Sequence, residues 1–184
     1  MLFFQKLSES VKANSEVYFN FPKYDEVKSI FPNAEYYYQS LVEGIHLGNY
    51  CFDSLKTEKK KSIKLNSVIA VKDRIKSTEV KRTAENVIDA VYFTRDLVNE
   101  PANILTPNEL LVRTKKTLSK EKVKVTNFNY AELKKRKFNS IISVGKGSEN
   151  KPLMMTLHYK PAKKSSKKIC VVGASGLVGS SIVR

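Results

Sequence analysis

The spacing of apolar residues divides the chain into segments of different period. Near the start, Glu16-Val17-Tyr18-Phe19-Asn20-Phe21 reads as a short strand stopped by Pro22. From Ala34 through Leu55, the residues Tyr37, Leu41, Ile45, Tyr50 and Phe52 recur mostly three to five positions apart. That spacing predicts an amphipathic helix, weakened by Gly44 and Gly48 or packed closely through them. Lys59-Lys60-Lys61 reads as the loop leaving this helix, and Ile63, Leu65 and Val68-Ile69-Ala70-Val71 form a β-branched stretch with the character of a strand. Val80, Ala84, Val87, Ile88, Val91 and Val98 keep helical spacing, which makes Glu79 to Asn99 the strongest helix pattern in the chain. Pro101 ends it, because the residue before a proline is pushed out of helical geometry.

A second pattern follows. Thr106-Pro107-Asn108-Glu109 has the composition of a capping box with proline at the first helical position. Leu110, Leu111, Thr114 and Leu118 supply the inner face of the helix it opens. Next come an alternating polar strand (Lys122 to Phe128), a short helix (Tyr130 to Lys137), and strands expected near Ser140–Val144, Leu153–Tyr159 and Lys168–Val172. Helix and strand in repeated succession predict α/β layering. Pro161 to Lys167 reads as a lysine- and serine-rich connection, and the strand at Lys168–Val172 is expected to leave an open, apolar edge.

Composition narrows the function classes. Apolar residues make up 41% of 184, enough for a packed core. No apolar run approaches the ~20 residues that span a bilayer, and the opening Met1 to Lys6 lacks the features of a signal peptide. The reading is therefore cytoplasmic, with no membrane partner. Cys51 and Cys170 stand far apart and are expected to be buried, reduced thiols; with only His46 and His158 besides, no local cluster has metal-ligand spacing.

The net charge of +15 is unevenly placed. Met1 to Val112 holds 15 basic and 15 acidic residues, whereas Arg113 to Arg184 holds 18 basic residues against Glu121, Glu132 and Glu149. Such an excess attracts polyanions without sequence specificity. Only six of the 33 basic residues are arginine, so the forked donor that reads bases and phosphates is scarce. Nucleic-acid binding is thus expected to be weak and salt-sensitive. One alternative is that the charge is balanced by a further, acidic portion.

Several motifs carry candidate chemistry. Asp96 and Glu100 sit four residues apart, but two carboxylates at that spacing are ordinarily a helix surface rather than an acid/base pair. Ser143-Val144-Gly145-Lys146-Gly147-Ser148 contains Gly-Lys-Gly-Ser without the leading glycine of a phosphate-binding loop. Gly173-Ala174-Ser175-Gly176-Leu177-Val178-Gly179 follows a β-branched strand, which is the context of a dinucleotide turn at a helix N-terminus. On that reading Gly173, Gly176 and Gly179 are the candidate cofactor-binding residues.

Three segments in order carry a family resemblance: Arg95-Asp96-Leu97-Val98-Asn99-Glu100-Pro101-Ala102-Asn103-Ile104-Leu105-Thr106-Pro107, then Ser143 to Ser148, then Leu153-Met154-Met155-Thr156-Leu157-His158-Tyr159-Lys160. Together they resemble the leucyl (cytosol) aminopeptidases, two-metal exopeptidases. Glu43-Gly44 through Lys56 is similar to the last helix of that family's N-terminal domain. The resemblance implies an α/β chain: a partial mixed α/β N-terminal domain over 1–76, then a linking helix and the opening strands and helices of a peptidase domain over 77–184. It also implies an activity that removes N-terminal residues from peptides with two divalent metals, zinc or manganese, in proteins that are typically hexamers.

The family's next strand usually ends V-G-K-G-x-T-F-D-S-G-G, whose Lys and Asp bind metal. Here Lys168-Ile169-Cys170-Val171-Val172 runs into Gly173-Ala174-Ser175 instead, so Ala174 stands where the ligand lysine is expected. Lys146 belongs to an earlier loop and is not that ligand. The expectation is a shortened family member with no catalytic or metal-binding residue of its own, inactive alone. Two alternatives remain: the last twelve residues, similar to the opening of short-chain dehydrogenases and epimerases, lead into an NAD(P)-binding protein, or the basic half is an interaction module.

Overall fold

The computed structural model describes residues 21–57, 75–159, 170–174 and 180–182, the last two segments by their backbone. The strand expected at 16–21 lies almost wholly outside these residues, and the one expected at 63–71 entirely so. The chain divides into two compact units, Met1–Asn99 and Glu100–Arg184. The sequence reading instead groups the long helix with the C-terminal part, from residue 77 onward. That helix, however, packs within the first unit.

In the first unit, α1 spans Tyr24–Val27, α2 Ala34–Gly48 and α3 Ser77–Asn99. The Asn33 side chain opens α2 by accepting from the Tyr36 amide at 2.8 Å, an N-cap that substitutes for an unavailable backbone partner. The predicted helix through Leu55 ends early, at Gly48, where Asn49 N–H closes the last turn on the His46 carbonyl. Tyr50 and Phe52 therefore lie beyond it, and Cys51 is exposed rather than buried. Tyr37, Tyr38 and Val80 form a buried cluster, with Tyr24, Phe31 and Leu41 packed against it. Ile45, Ala84 and Ile88 bury where α2 meets α3, and the fully enclosed Ala84 methyl permits a close approach of the two helices.

Among its described residues the second unit combines three helices with a sheet. α4 covers Pro107–Thr117, β1 Val123–Phe128, α5 Tyr130–Lys135, α6 Asn139–Gly145, β2 Met154–Tyr159, β3 Cys170–Ala174 and β4 Ser180–Ile182. The strands lie in the order β1-β2-β3-β4, each antiparallel to its neighbour. Register runs from Val123 opposite Tyr159 to Phe128 opposite Met154, and Gly173 lies between Met155 and Ser180. The edge of β3 that the sequence reading leaves open is thus taken up by β4. Leu111, Leu153 and Met155 form the core cluster, with Leu110 and Val125 against it, while Leu133 on α5 is completely enclosed.

Ser140–Val144 is helix, not the expected strand. Its run of Ile141, Ile142 and Val144 is too short for periodicity to separate helix from strand. What decides it is the end of α5. Phe138 N–H bonds the Leu133 carbonyl and Lys137 N–H the Lys134 carbonyl, the paired closure of a Schellman cap, and the chain turns directly into α6. The cap places Lys137 at φ 58°, a left-handed position that glycine adopts without strain.

Replacing Lys137 by glycine is expected to stabilise the second unit by about 0.5–1 kcal/mol, the relieved side-chain strain exceeding the added freedom of the unfolded chain. Urea unfolding followed by circular dichroism measures this, and an unchanged or lower midpoint would contradict it.

Candidate functional site

The segment from Tyr92 to Pro107 carries polar contacts within each unit, to either side of Asn99. On α3, the Tyr92 hydroxyl donates to the His46 carbonyl and Arg95 Nη1 donates to the Leu47 carbonyl at 3.0 Å. Both acceptors belong to the last turn of α2; the His46 carbonyl already accepts from Asn49 N–H, and the side chains of α3 add donors at this helix end. The Tyr50 hydroxyl donates to Asp96 Oδ1 at 2.7 Å and accepts from Asn99 Nδ2 at 3.1 Å. Arg95 stacks over the Tyr50 ring at 5.2 Å, and the Tyr50 and Tyr92 rings meet at 5.2 Å between centroids. Burial raises the pKa of Tyr92; burial and then the Asp96 bond raise that of Tyr50. Both phenols therefore stay protonated and donating throughout the neutral range.

Glu100 opens the second unit. Its Oε2, shielded from water, lies 2.7 Å from Arg113 Nη1 on α4, an ion pair off the ideal hydrogen-bond direction. Arg113 Nε reaches Glu109 Oε1, also at 2.7 Å, so one planar guanidinium serves two carboxylates. The carboxylates of Glu100 and then Glu109 against the guanidinium push the Arg113 pKa above its already high value. A raised basic pKa contributes stability that is present below the unfolded value and lost only as pH climbs through the folded one. Loss of the arginine's charge therefore does not break the pair at any alkaline pH in ordinary use. The capping box at α4 is half formed: Thr106 Oγ1 accepts from the Glu109 amide at 3.2 Å, but the Glu109 carboxylate turns to Arg113 instead of reaching back. Asp96 and Glu100, four residues apart, are thus held by separate partners.

The loop Ser143–Ser148 closes α6. A methyl group on Gly145 would lie 2.6 Å from Cγ of Pro152, whose ring is rigid, whereas nothing lies within 4 Å of the corresponding position on Gly147. Lys146 is exposed at the end of α6. Further along, Gly173 and Ala174 end β3, while Gly176 and Gly179 lie outside the described residues. Ser180–Ile182 is a strand antiparallel to β3, where a dinucleotide turn requires a helix. Among the described residues, no three His, Cys, Asp or Glu side chains converge as a metal-binding group, and alanine at 174 offers no donor atom. The residues described here do not fit a two-metal centre.

Residues 92–178 match the sequence profile of the cytosol aminopeptidase family, catalytic domain. A probable cytosol aminopeptidase of Persephonella marina is 33% identical over 137 residues, covering 73% of this chain and 27% of that protein. The chain belongs to the cytosol aminopeptidase family. A mutant of tomato leucine aminopeptidase shares its fold at a TM-score of 0.62 with 28% identity, over 70% of this chain and 26% of that one. The bottromycin maturation enzyme BotP, in complex with Mn, gives 0.60 at 24% identity over 71% and 27%. The chain therefore spans about a quarter of the length of these relatives. The fold is accordingly a partial aminopeptidase fold of mixed helices and strands.

The family match begins at Tyr92, the residue that caps α2, and takes in both Glu100 and Gly145. Sequence reasoning took this segment as a carrier of the family resemblance and, from the residues themselves, as a helix stop, a turn and a new start. The signals it passed over were Tyr92 and Arg95 one helical turn apart, and Arg113 four residues after Glu109.

Two substitutions separate packing from solvent in the glycine loop. Gly145→Ala is expected to destabilise the second unit by about 1–3 kcal/mol, the range for overpacking against a neighbour that cannot move. Gly147→Ala should stay within about 0.5 kcal/mol of the parent. Thermal melts of both variants measure the difference, and equal melting temperatures would refute the contact. Tyr92→Phe removes one donor to α2 and should cost about 1 kcal/mol. Since the raised tyrosine pKa values stabilise below the ordinary 10.0 and less above it, this variant should also lose stability less steeply than the parent at alkaline pH.

Proposed function

We propose that the protein acts among the metal-dependent aminopeptidases, which remove N-terminal residues from peptides, and that this chain provides framing rather than chemistry. The carrying observation is the bonding of residues 92–113. The family segment spends its charged groups on a helix end and one guanidinium: Arg95 on α2, and Glu100 and Glu109 on Arg113. Groups so engaged position backbone and are not available to activate water or to ligate an ion.

The metal supports the same division. In two-metal hydrolases the ions activate the attacking water and polarise the scissile carbonyl. The manganese-bound BotP supports a divalent metal in relatives of this fold. In this chain alanine occupies position 174, and no three His, Cys, Asp or Glu side chains among the described residues converge as a metal-binding group. Peptides as substrates, a cytoplasmic setting and assembly into oligomers follow from the family. In keeping with the setting, no helix among the described residues is long and apolar enough to cross a membrane.

The 184-residue chain is expected to show no turnover of a leucine chromogenic amide with manganese, zinc or magnesium added. Purified chain and a catalytically intact relative are compared with and without chelator. Hydrolysis that tracks with the purified chain and disappears with chelator would overturn the framing role.

A further inference from the structure

We propose that the surface around α5 binds the phosphate backbone of nucleic acid, independently of base sequence. Lys134, Lys135, Arg136 and Lys137 follow one another through the end of this helix, and all four are exposed. Lys151, also exposed, joins them from the segment before β2.

Aromatic rings hold these cations in place. Lys134 Nζ sits 4.6 Å from the Tyr130 ring centroid, and Lys151 Nζ lies 5.7 Å from the same ring. The Arg136 guanidinium lies over the Phe128 ring at 4.7 Å from its centroid. A flexible lysine loses side-chain freedom when it meets a phosphate, and a ring that already orders it reduces that loss. Cations on the ring faces also occupy the surface on which bases would stack. The surface thus suits backbone phosphate rather than base readout.

A second observation is independent of the rings. Lys137 occupies the left-handed cap position where glycine is strain-free, so a cation is kept at a place unfavourable to any side chain. The nearby acids are outnumbered. Glu132, which accepts from the amide of Asn129 at 2.8 Å, and Glu149 are the two carboxylates between Phe128 and Lys151, against the five cations named.

The test is fluorescence anisotropy of a labelled single-stranded oligonucleotide with the full 184-residue chain across a salt series. If four phosphates are neutralised, log affinity should fall against log salt with a slope of about −3. Lys134→Gln and Lys151→Gln should each reduce that slope by roughly 0.7, whereas Lys81→Gln on α3 should leave it unchanged. Tyr130→Leu keeps every charge, so it should preserve the slope yet weaken binding by roughly threefold. Lys137→Gly should bind more weakly while melting at a higher temperature, an opposition that misfolding cannot produce. Equal losses from Lys81→Gln and the α5 variants would overturn the proposal. So would a preference for one base sequence that persists at physiological salt, or tighter binding to vesicles of anionic phospholipid than to the oligonucleotide.

Discussion

Proline at position 101 is the constraint on which the arrangement of this chain depends. It forbids helical geometry at Glu100, so α3 stops at Asn99 however favourable its apolar spacing. The residues on either side are then committed locally. Tyr92, Arg95, Asp96 and Asn99 bond to the end of α2 and to Tyr50, whereas Glu100 bonds to Arg113 on α4. A helix stop written into the backbone therefore coincides with a change in which unit the side chains serve. That coincidence gives the family segment a physical meaning: its polar residues satisfy helix ends and one guanidinium.

The same economy appears at the glycine loop. Gly145 is required by the Pro152 ring beside it, while Gly147 faces open space. Two glycines two residues apart in the same motif thus have different surroundings, one crowded and one open. Neither has a positive φ, so conformational freedom is not what the motif supplies. The basic surface around α5 follows a contrary rule. At Lys137 the chain keeps a charged side chain where glycine would be less strained, and local stability is lower for it.

The elements most legible in the sequence were those with long or doubly marked patterns. Helix α3 has six apolar residues in helical register and a proline stop, and α4 has both a cap and Pro107. Strands β1 and β2 follow their alternating patterns to within one residue. The misreadings came where the pattern was short or where a distant group intervened. Ile141-Ile142-Ser143-Val144 is as compatible with strand as with helix, and the Schellman cap before it made the choice. Glu109 was expected to complete a capping box, but a fixed guanidinium one turn away offers a charged partner that the neutral Thr106 amide cannot match. Thiol burial at Cys51 failed for a simpler reason: α2 ends three residues earlier, and the chain beyond leaves Cys51 exposed.

By itself the sequence determined the family, the position of the stop at Pro101, and the absence of a donor at Ala174. These depend on residue identity and near-neighbour geometry, which are local. Only tertiary structure decided that α3 packs in the first unit, that Arg113 joins Glu100 to Glu109, and that Ser180–Ile182 adds a fourth strand instead of a helix. It also decided that Lys134 and Lys151 share one ring. Each of these joins residues through space, by contacts that periodicity along the chain does not encode.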